Sequence, residues 1–237
     1  MTTPGGDFTR QLYPFLYPPV VAAGAAAMEQ AFAEARVSTL QKSEEVASLR
    51  RQLRDDYSAE LVSAARAMAS RFALGGKLLA CGNGGSATDA QDAAVDCMSP
   101  PTRGWRTLPA IALCSDVGVV TGIANDVGFE IVYSRQVIAL GDEKDILVGF
   151  STSGGSPNVV AAFKEAKKRK MLTIALAGYD GGELLRSRLS DHCFVARLEY
   201  VPRIQEGHAT VWHALLELVQ TILAAEPAFT GKGNAIR

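Results

Sequence analysis

Five short apolar runs constrain this chain more than anything else in it. They are Lys77–Cys81 (KLLAC), Leu108–Leu113 (LPAIAL), Ile146–Phe150 (ILVGF), Leu172–Ala177 (LTIALA) and Cys193–Ala196 (CFVA). Each is too short for a helix and too continuously apolar for a strand with one wet face. Helical patterns separate them, over 86–98, over 117–140 in two pieces, and over 157–169, and a long amphipathic pattern over 203–225 closes the series. Short, doubly buried strands alternating with helices predict an α/β fold, a parallel sheet covered on both faces.

The upstream third has a different texture. Ala-rich 20–36 reads as a helix, 38–53 as a polar helix able to bridge subunits, and 57–74 as an amphipathic helix stopped by Gly75-Gly76. Residues 1–19 are broken by Pro4, Pro14, Pro18 and Pro19, yet Tyr13, Phe15, Leu16 and Tyr17 make them sticky enough to dock on a surface. The division expected is an N-terminal extension over 1–36, a main domain over 37–226 and a flexible tail over 227–237.

Charge and cysteine content remove several function classes. Lys and Arg number 24 against 25 Asp and Glu, which leaves no electrostatic footprint for nucleic acid and no polybasic membrane patch. No apolar stretch reaches the ~20 residues of a membrane span, and no signal-peptide pattern is visible at the N-terminus, so a cytoplasmic protein is expected. The four cysteines form no CxxC pair and read as free thiols, buried at Cys81, Cys114 and Cys193.

Chemistry in open α/β sheets collects beyond the carboxyl ends of the strands. Two such ends are conspicuous. The first apolar run leads into Gly82-Asn83-Gly84-Gly85-Ser86, with Ser86 expected as an N-cap and Asp89 three residues on. The third leads into Ser151-Thr152-Ser153-Gly154-Gly155-Ser156-Pro157, where Ser156 is the expected cap and Pro157 the first helical residue. Hydroxyls and backbone N–H groups at a helix start suit an anion such as phosphate. Neither a Walker loop nor a GxGxxG fingerprint is present, so no nucleotide cofactor is expected. Ordinary strand-to-helix turns are the plainer reading of either loop alone.

Taken together, CGNGGSATDAQ, IANDVGFE, STSGGSPNVVAAFKEAKK, AGYDGGEL and RIQEGHATVWHALLELV resemble, in order and spacing, the phosphoheptose isomerase group of SIS (sugar isomerase) domains. The resemblance covers about residues 40–225. It implies a flavodoxin-like three-layer α-β-α sandwich with a five-stranded parallel sheet and an N-terminal helical extension. It further implies a homotetramer with active sites at subunit interfaces, and conversion of sedoheptulose 7-phosphate to an aldose heptose phosphate, often with zinc. Carried over residue by residue, Asn83, Gly84, Gly85 and Ser86 fall in the sugar-contacting loop. Asn125 and Asp126 match a substrate-contacting pair, and Ser151, Thr152, Ser153 and Ser156 the phosphate cradle. Gln205 and His213 match two metal ligands, His213 also a catalytic acid.

Besides Gly155, where the family usually has an Asn after Ser-Thr-Ser-Gly, two positions depart from the family pattern. Its remaining ligands, a His and a Glu, are here Asp92 and Asp96, the latter matching the catalytic base. Four residues apart, they share a helix face. An Asp/Asp/Gln/His set is harder than His/Glu/Gln/His and shifts preference from zinc toward Mg²⁺ or Mn²⁺. Asp at 96 also shortens the reach of the base by on the order of 1.5 Å, and a misplacement of that size can cost about a hundredfold in rate. The plainer reading of a helical Asp pair is a solvated acidic face. His192 reads as structural, His208 as a core or interface residue, and Trp105 and Trp212 as packing residues. Two readings follow: a sugar-phosphate isomerase, with Asp96 as base and His213 as acid, or a catalytically impaired sensor or scaffold that keeps the sugar-phosphate loop.

Overall fold

A computed structural model of the chain describes residues 24–225. These divide into two compact units at the Glu44–Glu45 junction. The first comprises the opening turns of helix α1 (Ala25–Ala73), where Met28, Phe32 and Leu40 are exposed. The rest of α1 and everything after it form the second.

The three helices expected over 20–36, 38–53 and 57–74 are a single 49-residue helix within the described residues. No Gly or Pro occurs between 25 and 73, so nothing interrupts the backbone ladder; the changes in polarity along it are changes of surroundings, not breaks. The stop at Gly75, in the left-handed region at φ 78°, is as expected. Residues 1–23 and 226–237, with the docking segment and the tail, lie outside the described residues.

The second unit is an α/β sandwich. Its strands are β1 (Leu78–Cys81), β2 (Ala110–Ala112), β3 (Ile146–Ser151), β4 (Leu172–Gly178) and β5 (His192–Ala196). All neighbours are parallel, in the order β2-β1-β3-β4-β5. Helices α2 (Gly85–Met98), α3 (Val117–Val127), α4 (Val132–Leu140), α5 (Pro157–Lys168), α6 (Gly182–Arg186) and α7 (Val201–Ala225) complete it. The five-residue α6 has no counterpart in the sequence reading, being too short to carry a period.

Strand alternation sorts the core into two layers. Leu78, Ala80, Ile146, Val148 and Phe150 face α1, α2 and α7, packing with Leu49, Met68, Ala93, Trp212 and Leu215. Leu79, Cys81, Leu147 and Ala175 face the other way, onto Tyr133, Val137, Val159 and Phe163 of α4 and α5. All four cysteines are free; Cys81 and Cys97 are buried, whereas Cys114 and Cys193 are only partly so. The strand order reverses between β1 and β3, and crevices at such switch points are where ligands of this fold class bind.

Candidate active site

Both glycine-rich turns open at that switch point. After β1 the chain turns so tightly that a Cβ on Gly82 would lie 2.2 Å from the Ser86 carbonyl oxygen. Gly84, at φ 56°, precedes the first residue of α2. Ser86 is therefore not the cap: it lies inside the helix and is buried, the extra residue being absorbed by the left-handed Gly84. Asn83 exchanges two amide hydrogen bonds with Asn158 of α5 (2.8 and 2.9 Å), and the Tyr133 hydroxyl donates to the Gly82 carbonyl. The turn after β1 is thus tied to the helix after β3.

After β3 the chain turns through Ser151–Ser156 into α5. Ser156 precedes α5, with Pro157 at its first position. The Ser156 hydroxyl does not cap the helix; it lies 3.0 Å from the Ser151 hydroxyl, which is buried at the strand end. Gly154 takes φ 61°, its N–H donating to the Ser151 carbonyl, and the Gly155 N–H donates to Ser153 Oγ. The next turn presses on this one: a Cβ on Gly154 would sit 2.2 Å from the Gly181 carbonyl oxygen, and one on Gly182 2.3 Å from that of Ser153. This contact explains the glycines of AGYDGGEL, which back the Ser151–Ser156 turn.

Beside the turns, α2 and α7 face each other with Asp92, Asp96 and His213 between them. Nitrogen Nε2 of His213 lies 3.6 Å from Asp96 Oδ2 and 4.0 Å from Asp92 Oδ2. One donor atom from each of the three falls within 4.8 Å of the others. Asp92 and His213 are exposed, while the Asp96 carboxylate is 14% exposed and accepts a 3.0 Å hydrogen bond from Trp212 Nε1. Gln205 packs over the first turn of α2, where a Cβ on Gly85 would meet its Nε2 at 2.0 Å. Asn125 and Asp126 stand exposed at the end of α3, the amide of one donating to the carboxylate of the other at 3.0 Å. Among the described residues no hydrogen bond joins them to the Ser151–Ser156 turn or to the Asp/His cluster.

This arrangement can be set beside known proteins. Residues 43–178 match the SIS domain family. The phosphoheptose isomerase of Maridesulfovibrio salexigens is 43% identical over 169 residues, covering 71% of this chain and 82% of that protein. That of Nitratidesulfovibrio vulgaris (Miyazaki F) is 40% identical over 203 residues, 84% of this chain and 97% of that protein. The chain belongs to the phosphoheptose isomerase family. The structure of a phosphoheptose isomerase from Neisseria gonorrhoeae, 38% identical, superposes with a TM-score of 0.72 over 79% of this chain and 98% of that one.

Four residues of the site escaped the sequence reading. Asp89 is no capping partner; its carboxylate lies beside Gln205, and its Oδ2 is buried without a hydrogen-bond partner. Burial, with the Asp92 charge adding to it, pushes Asp89 up to about 6 against the opposing pull of Gln205. Its spacing, three before Asp92, was the available signal. Asn158 and Tyr133 carried none, since each acts through a partner at least 50 residues away. Trp212 packs in the core as expected, but it also holds Asp96. His208 is buried against Phe150, with ring centroids 6.2 Å apart. Burial depresses it to about 4, the backbone of Ala177 offsetting only part of that. His192 is structural, its Nδ1 2.6 Å from Glu60 Oε1.

Proposed function

We propose that this chain isomerises sedoheptulose 7-phosphate to D-glycero-D-heptose 7-phosphate through an enediol. The observation that carries the reading is the convergence of Asp96 and His213, 3.6 Å apart, beside the switch-point crevice of a phosphoheptose isomerase fold. The Ser151–Ser156 turn binds the phosphate with its hydroxyls at the start of α5, where the helix dipole favours an anion. Asn83, Gly84, Gly85 and Ser86 shape the sugar pocket, and Asn125 and Asp126 contact the sugar as well. Asp96 takes the proton from C1 of the ketose and returns it to C2. His213 serves the oxygen side, donating to O2 as the enediol forms and taking the O1 proton as the aldehyde appears, which restores its starting state.

Asp92, Asp96 and His213 are the residues that would hold a divalent cation, with Gln205, over the first turn of α2, as the fourth candidate ligand. Two carboxylates and an imidazole with donor atoms within 4.8 Å fit such an ion, and the oxygen-rich set favours Mg²⁺ or Mn²⁺ over zinc. When bound, the ion would polarise the carbonyl and stabilise the charge that develops on the substrate oxygens. The proposed assembly is a cytoplasmic homotetramer. Helix α3 supports it: none of its residues is buried within the chain, and Val117 is 71% exposed. No helix among the described residues is long and apolar enough to cross a membrane.

Turnover of sedoheptulose 7-phosphate, with Mn²⁺, Mg²⁺ or Zn²⁺ added and with chelator, tests the reading. Formation of an aldose heptose phosphate that His213→Ala abolishes is the expected result. Tight binding of the sugar phosphate without turnover under any metal would replace the isomerase by a sensor or scaffold.

A further inference from the structure

We infer that Trp212 is a positioning residue: its indole N–H fixes the Asp96 carboxylate in the orientation that faces His213. The inference deepens the isomerase reading and rests on it for what Asp96 does once positioned.

Trp212 and His213 are consecutive on α7, so their side chains leave the helix about 100° apart. The indole turns inward and is 1% exposed, whereas the imidazole turns toward the exposed acidic face of α2. Asp96 Oδ2 lies between them, 3.0 Å from the indole nitrogen and 3.6 Å from the imidazole nitrogen. A carboxylate oxygen has two lone-pair directions. With the indole N–H on one of them, Oδ2 still faces His213, and Oδ1 stays free for substrate or cation.

The contrast with Asp92 sharpens the point. On the same helix face, Asp92 is 63% exposed, and no hydrogen bond holds it among the described residues. Its χ angles are free, and ordering it on a ligand costs rotamer entropy that Asp96 has already lost. A short carboxylate has a narrow range of useful geometry, because it cannot compensate for a misplaced backbone by bending a longer chain. Fixing its terminal torsion from a buried, rigid indole is the way to keep such a group in place. A buried indole N–H needs an acceptor in any case. What makes this bond more than housekeeping is that the acceptor is the one half-buried carboxylate of the Asp/His cluster.

Trp212→Phe removes the donor and keeps an aromatic ring in the core. We expect kcat to fall about 10- to 100-fold with KM changed little, and Mn²⁺ binding to weaken by a similar factor, the range for loss of a group orienting a metal ligand. In a double-mutant cycle with Asp96→Ala on Mn²⁺ affinity, the losses should not multiply, since Trp212 acts through Asp96. Wild-type kcat in Trp212→Phe, or losses that multiply in the cycle, would overturn the inference and leave Trp212 a packing residue. Should Trp212→Phe fail to fold, the indole ¹H–¹⁵N resonances of the intact protein decide. Assigned with Trp105→Phe, the Trp212 signal should exchange slowly and move in Asp96→Ala while the Trp105 signal stays. A Trp212 signal that Asp96→Ala leaves in place overturns the inference. That measurement needs neither metal nor turnover, so an inactive protein with a hydrogen-bonded indole would sink the isomerase reading alone.

Discussion

The two ends of the sheet use the same residue types in opposite ways. At the amino ends, carboxylates are saturated. Asp145, fully buried before β3, accepts from Lys77 Nζ (2.5 Å), from the Lys77 N–H and from the Asp142 N–H. Asp191, before β5, accepts from Lys167 Nζ and from both the N–H and the hydroxyl of Thr173. At the carboxyl ends, polar groups are left short. Asp89 Oδ2 and both nitrogens of His208 are buried without partners, and Asp92 and His213 stand open. Buried polar groups are normally paired, so unpaired ones concentrated at one end mark the end that has a ligand to bind. Saturation holds the strands together; shortage leaves groups free to act.

The sharpest way to break this contrast is to swap the losses. Removing His213 (His213→Ala) should cut turnover by about 10²–10⁴-fold, the contribution of a positioned acid, while the urea midpoint stays within error of wild type. Removing Asp145 (Asp145→Ala) should do the reverse. It strands Lys77 and two backbone N–H groups, and it should cost about 3 kcal/mol in urea unfolding, with kcat intact in the protein that remains folded. A His213→Ala protein that unfolds early would erase the distinction.

Acid should separate the ends next. His208 is depressed to about 4, so the unfolded chain takes up its proton first as pH falls. The stability it contributes is present above about 6.5 and is lost between there and about 4, on the order of 3 kcal/mol in all. His208→Phe should flatten that slope in urea titrations between pH 4 and 6.5. Asp191 contributes in the same direction at lower pH. Burial alone would raise it, but Lys167 and Thr173 outweigh that and hold it below the usual range. Its contribution goes only as pH falls through that depressed value.

Asp89 has the opposite sign and the smallest effect. Its carboxyl is raised, so the native state favours the protonated form, and the associated stability is lost as pH rises through about 6. Asp89→Asn should gain on wild type between pH 5 and pH 8. The gain should stay under about 1 kcal/mol, because solvent screens a half-exposed group. A variant less stable at pH 8 would mean that the pull of Gln205 outweighs burial.

Strands β1 to β5, both glycine-rich turns, the Ser156-Pro157 helix start and the long closing helix were legible from residues alone. Each depends on neighbours a few positions apart: apolar runs, a proline, a left-handed glycine. Even the pairing of Asp92 with Asp96 is a matter of helical period. The local rules failed where the chain offered two local solutions. Ser86 looked like a cap until Gly84 took that place, and α1 looked broken where only its surroundings changed.

Tertiary structure decided what those residues meet. Asn83 reaches Asn158 across 75 residues and Trp212 reaches Asp96 across 116. No periodicity encodes a partner at that distance; the sheet order does, by setting β1 beside β3 and α2 against α7. Burial is likewise a property of the packed whole. It leaves His208 neutral in the core and His213 open at the surface, although the two lie five residues apart on one helix.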